Sequence, residues 1–150
     1  MSEFPIPTYN SHKPIYAIQD YNLNDGHYAP DSNTKHLSFG VSQWSDEDLS
    51  LKAFRHTGKQ WSPQSEEIPP HRVIDLALLF CKVIQQRKTG DRIPCIIKFD
   101  SVEMNVELIS EGNKFLNKLD TYWEQHCKFI VPRLHELSNL LDELKKEGVI

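Results

Sequence analysis

The clearest alternation of apolar and polar positions lies between Ile93 and Ile109, where Asp100-Ser101 separates two β-type runs. A two-residue turn there pairs Phe99 with Val102, Ile97 with Met104, Cys95 with Val106 and Ile93 with Leu108. All eight then share one face, while Ile96, Lys98, Glu103, Asn105 and Glu107 share the other. The pattern predicts an antiparallel hairpin with one core face and one mostly wet face. A second hairpin is predicted over 36–44 and 49–56, around Ser45-Asp46-Glu47-Asp48. A four-residue loop sets Trp44 opposite Leu49 and leaves apolar residues on both faces. A bulge or an odd-length loop gathers Leu37, Phe39, Val41, Leu49, Leu51 and Ala53 on one face, and that segregation favours it. A short strand is predicted over 14–19.

Two stretches carry a helical period instead. Pro69 and Pro70 suit a first turn, Thr89-Gly90 suits a stop, and nearly every position from Val73 to Ile84 is apolar. Only a stripe of His71, Asp75, Lys82 and Gln86 is polar, so a buried central helix is predicted over about 69–88. From 113 to 147 runs a second pattern: Phe115, Leu119, Tyr122, His126, Phe129, Leu134, Leu137, Leu141 and Leu144, interrupted by Pro132. Unbroken, it would reach about 50 Å at 1.5 Å per residue, against about 40 Å for a compact domain of this size. It therefore folds back as a kinked helix or helical hairpin, or it projects and meets a partner helix. The leucine stripe is core in the first case and a homodimer seam through 113–147 in the second. Residues 1–13, with Pro5 and Pro7, read as an extended arm, and 20–35 as a long polar loop of the kind that is usually functional or disordered. The expected fold is one α+β domain over 1–150: an antiparallel sheet of two hairpins plus an N-terminal strand, the central helix, and the C-terminal helical third.

Composition narrows the class. The 150 residues include 17 Lys+Arg and 21 Asp+Glu, a formal charge of -4, which argues against a strongly basic nucleic-acid binder and an acidic tail. The longest apolar run, 76–81, is far below the roughly 20 residues of a membrane span. The start, Met1-Ser2-Glu3-Phe4-Pro5, shows no secretory pattern. Cys81, Cys95 and Cys127 are odd in number with no CxxC spacing, so they read as reduced core thiols. These features predict a cytoplasmic protein with no membrane partner.

The chemistry concentrates in 55–72, which runs from a strand end to the start of the central helix. Arg55, Lys59 and Arg72 offer cations to an anion, the helix start offers free N–H groups and the positive dipole end, and Trp61 offers a stacking face. The competing reading pairs Arg55 or Arg72 with Glu66 or Glu67 and plugs Trp61 into the core. Adjacent on a strand, Arg55 and His56 point to opposite faces unless a bulge intervenes. Loop 20–35 adds Asn24, Asp25, His27, Tyr28 and Asp31 as a pocket wall, or as ordinary turn caps.

No G-x-S-x-G elbow, Walker A loop or G-x-G-x-x-G is present. No two of the seven histidines stand at i,i+3 or i,i+4, so the usual helical metal pair is missing; a site of distant histidines with Asp25 or Asp31 is the alternative to the expectation of no metal, and no cofactor is expected. The catalytic candidates are His56 or His71 as general base with Glu66 or Glu67.

The runs Lys35-His36-Leu37-Ser38-Phe39-Gly40-Val41-Ser42-Gln43-Trp44, Arg55-His56-Thr57-Gly58-Lys59, Trp61-Ser62, Gln64-Ser65-Glu66-Glu67 and His71-Arg72-Val73-Ile74-Asp75-Leu76 resemble those of a family of small bacterial proteins of unknown function. The resemblance covers roughly 14–85 and implies no activity, ligand or mechanism. The residues themselves favour a non-catalytic module for an anionic, nucleotide-like small molecule, bound by Arg55, Lys59, Trp61, Arg72, Asp25 and Tyr28. The alternatives are a protein-interaction or inhibitor module acting through the C-terminal amphipathic helix, and a small His-dependent hydrolase.

Overall fold

The computed structural model describes residues 1–64 and 66–150, leaving Ser65 of the 55–72 connection outside the described residues. Strands β1 (Lys13–Ile18), β2 (Thr34–Val41), β3 (Leu49–Arg55) and β4 (Glu66–Ile68) form an antiparallel sheet in chain order. Strands β5 (Ile96–Phe99) and β6 (Val102–Asn105) form a separate two-stranded sheet, and the helices are α1 (Pro70–Thr89) and α2 (Leu116–Lys146). The class is α+β. The chain divides into two compact units, Met1–Glu107 and Leu108–Ile150.

In the first unit the β2–β3 register is the segregated one: Leu37 opposes Ala53, Phe39 opposes Leu51, and Val41 opposes Leu49. The loop between them, 42–48, is odd in length. Its ends are tied by the Ser42 N–H, which donates to the Asp48 carbonyl at 2.9 Å. Likewise Asp100 takes φ 54°, which Asp tolerates, and the β5–β6 pairs include Phe99 with Val102 and Ile97 with Met104. Beyond the strands, the Val106 N–H still donates to the Cys95 carbonyl at 2.8 Å. Two features differ from expectation. This hairpin is its own sheet, and the fourth place in the main sheet goes to β4, whose Glu66, Glu67 and Ile68 oppose Ala53, Lys52 and Leu51.

The polar face of the main sheet is not wet. His36 and Ser50 are 0 % exposed, Ser38 is 4 % and Phe54 is 1 %. The arm covers them. Its Phe4 carbonyl accepts from His36 Nε2, Pro7 is buried, and His12 lies over Ser38 and Ser50. Gly40 makes this crossing possible, because a Cβ there would stand 2.0 Å from the Lys13 carbonyl oxygen.

Helix α1 occupies the expected span. Pro70 sits in its first turn, and Gly90 (φ 58°) ends it by donating its N–H to the Gln86 carbonyl. Arg87 and Lys88 in the last turn suit the negative end of the dipole. The helix touches β3 and β5, yet none of its residues is fully buried. Ile74 is 61 % exposed and Leu76 is 53 %. The expected burial of this helix is therefore incomplete in the single chain.

The second unit is a 3-10 segment, Ser110–Phe115, leading into the 31 residues of α2. Helix α2 runs through Pro132 as one element, about 46 Å long. The reversal into a helical hairpin does not occur. Arg133 Nη1 donates to the Phe129 carbonyl at 2.6 Å, supplying a donor beside the position where Pro132 has no N–H.

Candidate functional site

The 55–72 connection begins with a tight turn. Gly58 takes φ 92°, and the Thr57 N–H donates to the Gln60 carbonyl at 2.9 Å, carrying Lys59 out to solvent. The turn folds Trp61 back against β3. Its ring centroid lies 5.0 Å from His56, 5.4 Å from His36 and 5.9 Å from Phe54. His56 is also 4.5 Å from the Phe4 ring, and its Nδ1 accepts the Gly58 N–H at 3.1 Å. Trp61 is thus part of an aromatic cluster that holds the arm, where a stacking wall was expected.

Arg55 is likewise committed. Its Nε lies 2.8 Å from Glu66 Oε1 as a charge contact without hydrogen-bond alignment, and its Nη2 donates to Gln64 Oε1 at 3.1 Å. In loop 20–35, Asp25 accepts from the Ser32 hydroxyl, and the exposed Tyr28 stacks on His27 with ring centroids 4.0 Å apart. Those two residues behave as turn elements. Among the described residues, neither cavity that Arg72 borders is lined by Arg55, Lys59, Trp61, Asp25 or Tyr28. Strand and turn geometry send them to different neighbours.

Glu67 finds a histidine, but a different one from those expected. Its Oε1 accepts from His12 Nδ1 at 3.0 Å, the Ser50 hydroxyl at 2.6 Å and the Gln43 N–H at 2.9 Å. His12 Nε2 lies 3.0 Å from the Ser38 hydroxyl. Burial pushes the Glu67 carboxyl upward, but the donors from Ser50, Gln43 and His12 outweigh it and hold the group below the usual carboxylate range. The order Ser38, His12, Glu67 is that of a nucleophile, a base and an orienting carboxylate. Here it clamps the arm. The His12 and Glu67 side chains are both 0 % exposed and Ser38 is 4 % exposed, so the hydroxyl is shielded from solvent beneath the arm.

A cavity of about 670 Å³ lies at the start of α1, bordered by Trp44, Asp48, Leu49, Glu67, Pro69, Pro70, His71 and Arg72. The 42–48 loop positions one wall, where Trp44 Nε1 donates to Asp48 Oδ2 at 3.1 Å and the indole stays 45 % exposed. The start of α1 positions the other. Pro69 caps the helix without any side-chain acceptor, Pro70 has no N–H, and the Arg72 and Val73 N–H groups both return to the Pro69 carbonyl, so it is the positive dipole end that stands at the cavity rim beside His71 and Arg72. No ion pair among the described residues joins Asp48 to His71 or Arg72. Of the expected site residues, Arg72, His71 and Glu67 border this cavity. Trp44, Asp48 and Leu49 were missed as site residues. Their signal was present, since a loop ending at Leu49 turns Trp44 out of the ladder.

Among the described residues, no three His, Cys, Asp or Glu side chains gather into a metal set, and no helix is long and apolar enough to cross a membrane. Comparison with curated proteins and with solved structures gives no match. The sequence model of DUF6530, a family of unknown function, matches residues 4–146, from the arm to the last turn of α2, and the chain belongs to that family.

Proposed function

We propose that this chain is a non-catalytic binding module for an anionic small molecule, held in the cavity at the start of α1. The convergence of Trp44, His71 and Arg72 on one cavity at the positive end of the α1 dipole carries this reading. Arg72 offers bidentate donors to a phosphate or carboxylate, and the positive end of the α1 dipole adds to its charge. The exposed Trp44 indole offers a face to a base or sugar. Asp48, on the Trp44 side, accepts from a ligand hydroxyl or amine. Together these favour a phosphorylated sugar or nucleotide over a bare inorganic anion. The volume, about 670 Å³, falls within the range of small-molecule sites.

The test is a thermal-shift screen of nucleotides and sugar phosphates on the wild type, Arg72→Ala, Trp44→Ala and Arg55→Ala. Ligands that stabilise the wild type are expected to lose roughly 10- to 100-fold in affinity with Arg72→Ala, as when a charged hydrogen bond worth about 1.5–3 kcal/mol is removed. Arg55→Ala is expected to bind as the wild type does. No stabilisation by any phosphorylated compound, or equal losses in Arg55→Ala and Arg72→Ala, would overturn the assignment.

A further inference from the structure

The second unit holds a single long helix and one 3-10 segment, and nothing within that unit covers the far half of α2. Leu137, Leu140 and Leu141 are 42 %, 48 % and 39 % exposed. Their spacing is specific. Cys127, Ile130, Leu134, Leu137, Leu141 and Leu144 alternate steps of three and four, which is the a/d pattern of a helix that pairs with another helix. Pro132 then falls at the outermost f position, which places its ring on the side away from a partner.

We propose that α2 pairs antiparallel with α2 of a second copy of this chain along 134–147. Two features of the flanking positions select this occupant and this direction. In the antiparallel register that stacks Leu134 on Leu144 and Leu137 on Leu141, g positions meet g positions. Leu140 therefore meets Leu140 of the second copy on the two-fold axis, and Arg133 stands opposite Glu147 at both ends. In a parallel pair, Leu140 would face Lys145 and Arg133 would face Ser138, which wastes both. An apolar residue at g is thus explained by self-pairing. The seam spans only two heptads, at the weak end of specific interfaces, below about 1,200 Å² in total, so a micromolar dimer is expected.

Sedimentation equilibrium of the full chain across the micromolar range tests this. The mass is expected to rise from 17.5 kDa toward twice that value. Leu140→Glu, at an exposed position that keeps the helix (checked by circular dichroism), is expected to weaken the dimer at least 100-fold by placing like charges on the axis. Arg133→Glu or Glu147→Arg alone is expected to weaken it about tenfold, and the double exchange to restore it. A monomer at every concentration, or a dimer indifferent to Leu140→Glu, overturns the proposal. Failure of the double exchange to restore association overturns the antiparallel register.

Discussion

Replacing His12 by Ala probes the clamp that holds the arm. The imidazole is fully buried, and its nitrogens lie 3.0 Å from Glu67, Ser50 and Ser38. Its loss removes one donor from an ionised carboxylate, at about 1.5–3 kcal/mol, and leaves the Ser38 hydroxyl short of a partner, at about 1–2 kcal/mol. The edge contact with Phe54, at 5.7 Å between centroids, adds about 0.5–1 kcal/mol. The expected total is about 3–6 kcal/mol, or roughly 12–25 °C in Tm for a unit of this size. Urea unfolding followed by circular dichroism measures the loss, with the exposed His135→Ala as a control expected within about 0.5 kcal/mol of wild type. Chymotrypsin cleavage between Tyr16 and Ala17, within β1, should accelerate in parallel, because β1 is the strand that the clamp anchors. A loss below about 1 kcal/mol, with the Tyr16–Ala17 bond as protected as before, would refute the idea that His12 fixes the arm.

Further outcomes follow from the same geometry. Gly40→Ala should cost about 3 kcal/mol or more by overpacking, since its Cβ would meet the Lys13 carbonyl, and hydrogen exchange should show β1 opening first. Stability should fall in two stages on acidification. Burial disfavours protonated His36 and outweighs the Phe4 carbonyl and Asp20, so its pKa lies below 6.5, and the unfolded chain takes up the proton first. That contribution is complete above pH 6.5 and is lost as the pH drops below it. Glu67, held below its ordinary 4.5, contributes fully above pH 4.5 and loses its share at lower pH. His36→Gln should abolish the first stage in pH-resolved urea melts and leave the second. Pro132→Ala should stabilise α2 by up to about 3 kcal/mol, read from its own melting transition at 222 nm.

The parts of the fold that follow a local period were legible in the sequence. The 36–56 register came from segregating Leu37, Phe39 and Val41 from their neighbours, and the bounds of α1 came from Pro70 and Gly90. Strand β4 was not legible, because Glu66-Glu67-Ile68 is short and charged and is a strand only through its pairing with β3. The alternate positions His36, Ser38 and Ser50 look like a solvent face by period alone. They are core because the arm crosses them, with His12 reaching Ser50 and Glu67 across 38 and 55 positions of sequence. The same holds at the cavity. Arg72 and His71 were readable as helix-start residues, whereas the choice between Trp44 and Trp61 depended on which way each loop turned.

The chain contains three tryptophans, so its three indole N–H resonances report separately on the aromatic cluster around Trp61, on Trp123 in α2, and on Trp44 at the cavity. Titration of the 15N-labelled protein with a nucleoside phosphate or a sugar phosphate should move the Trp44 indole signal saturably, with the Trp61 and Trp123 signals in place. The Arg72→Ala variant should abolish that movement. A saturable shift of Trp61 with Trp44 unmoved would place the ligand elsewhere, and silence from all three would contradict binding at the start of α1.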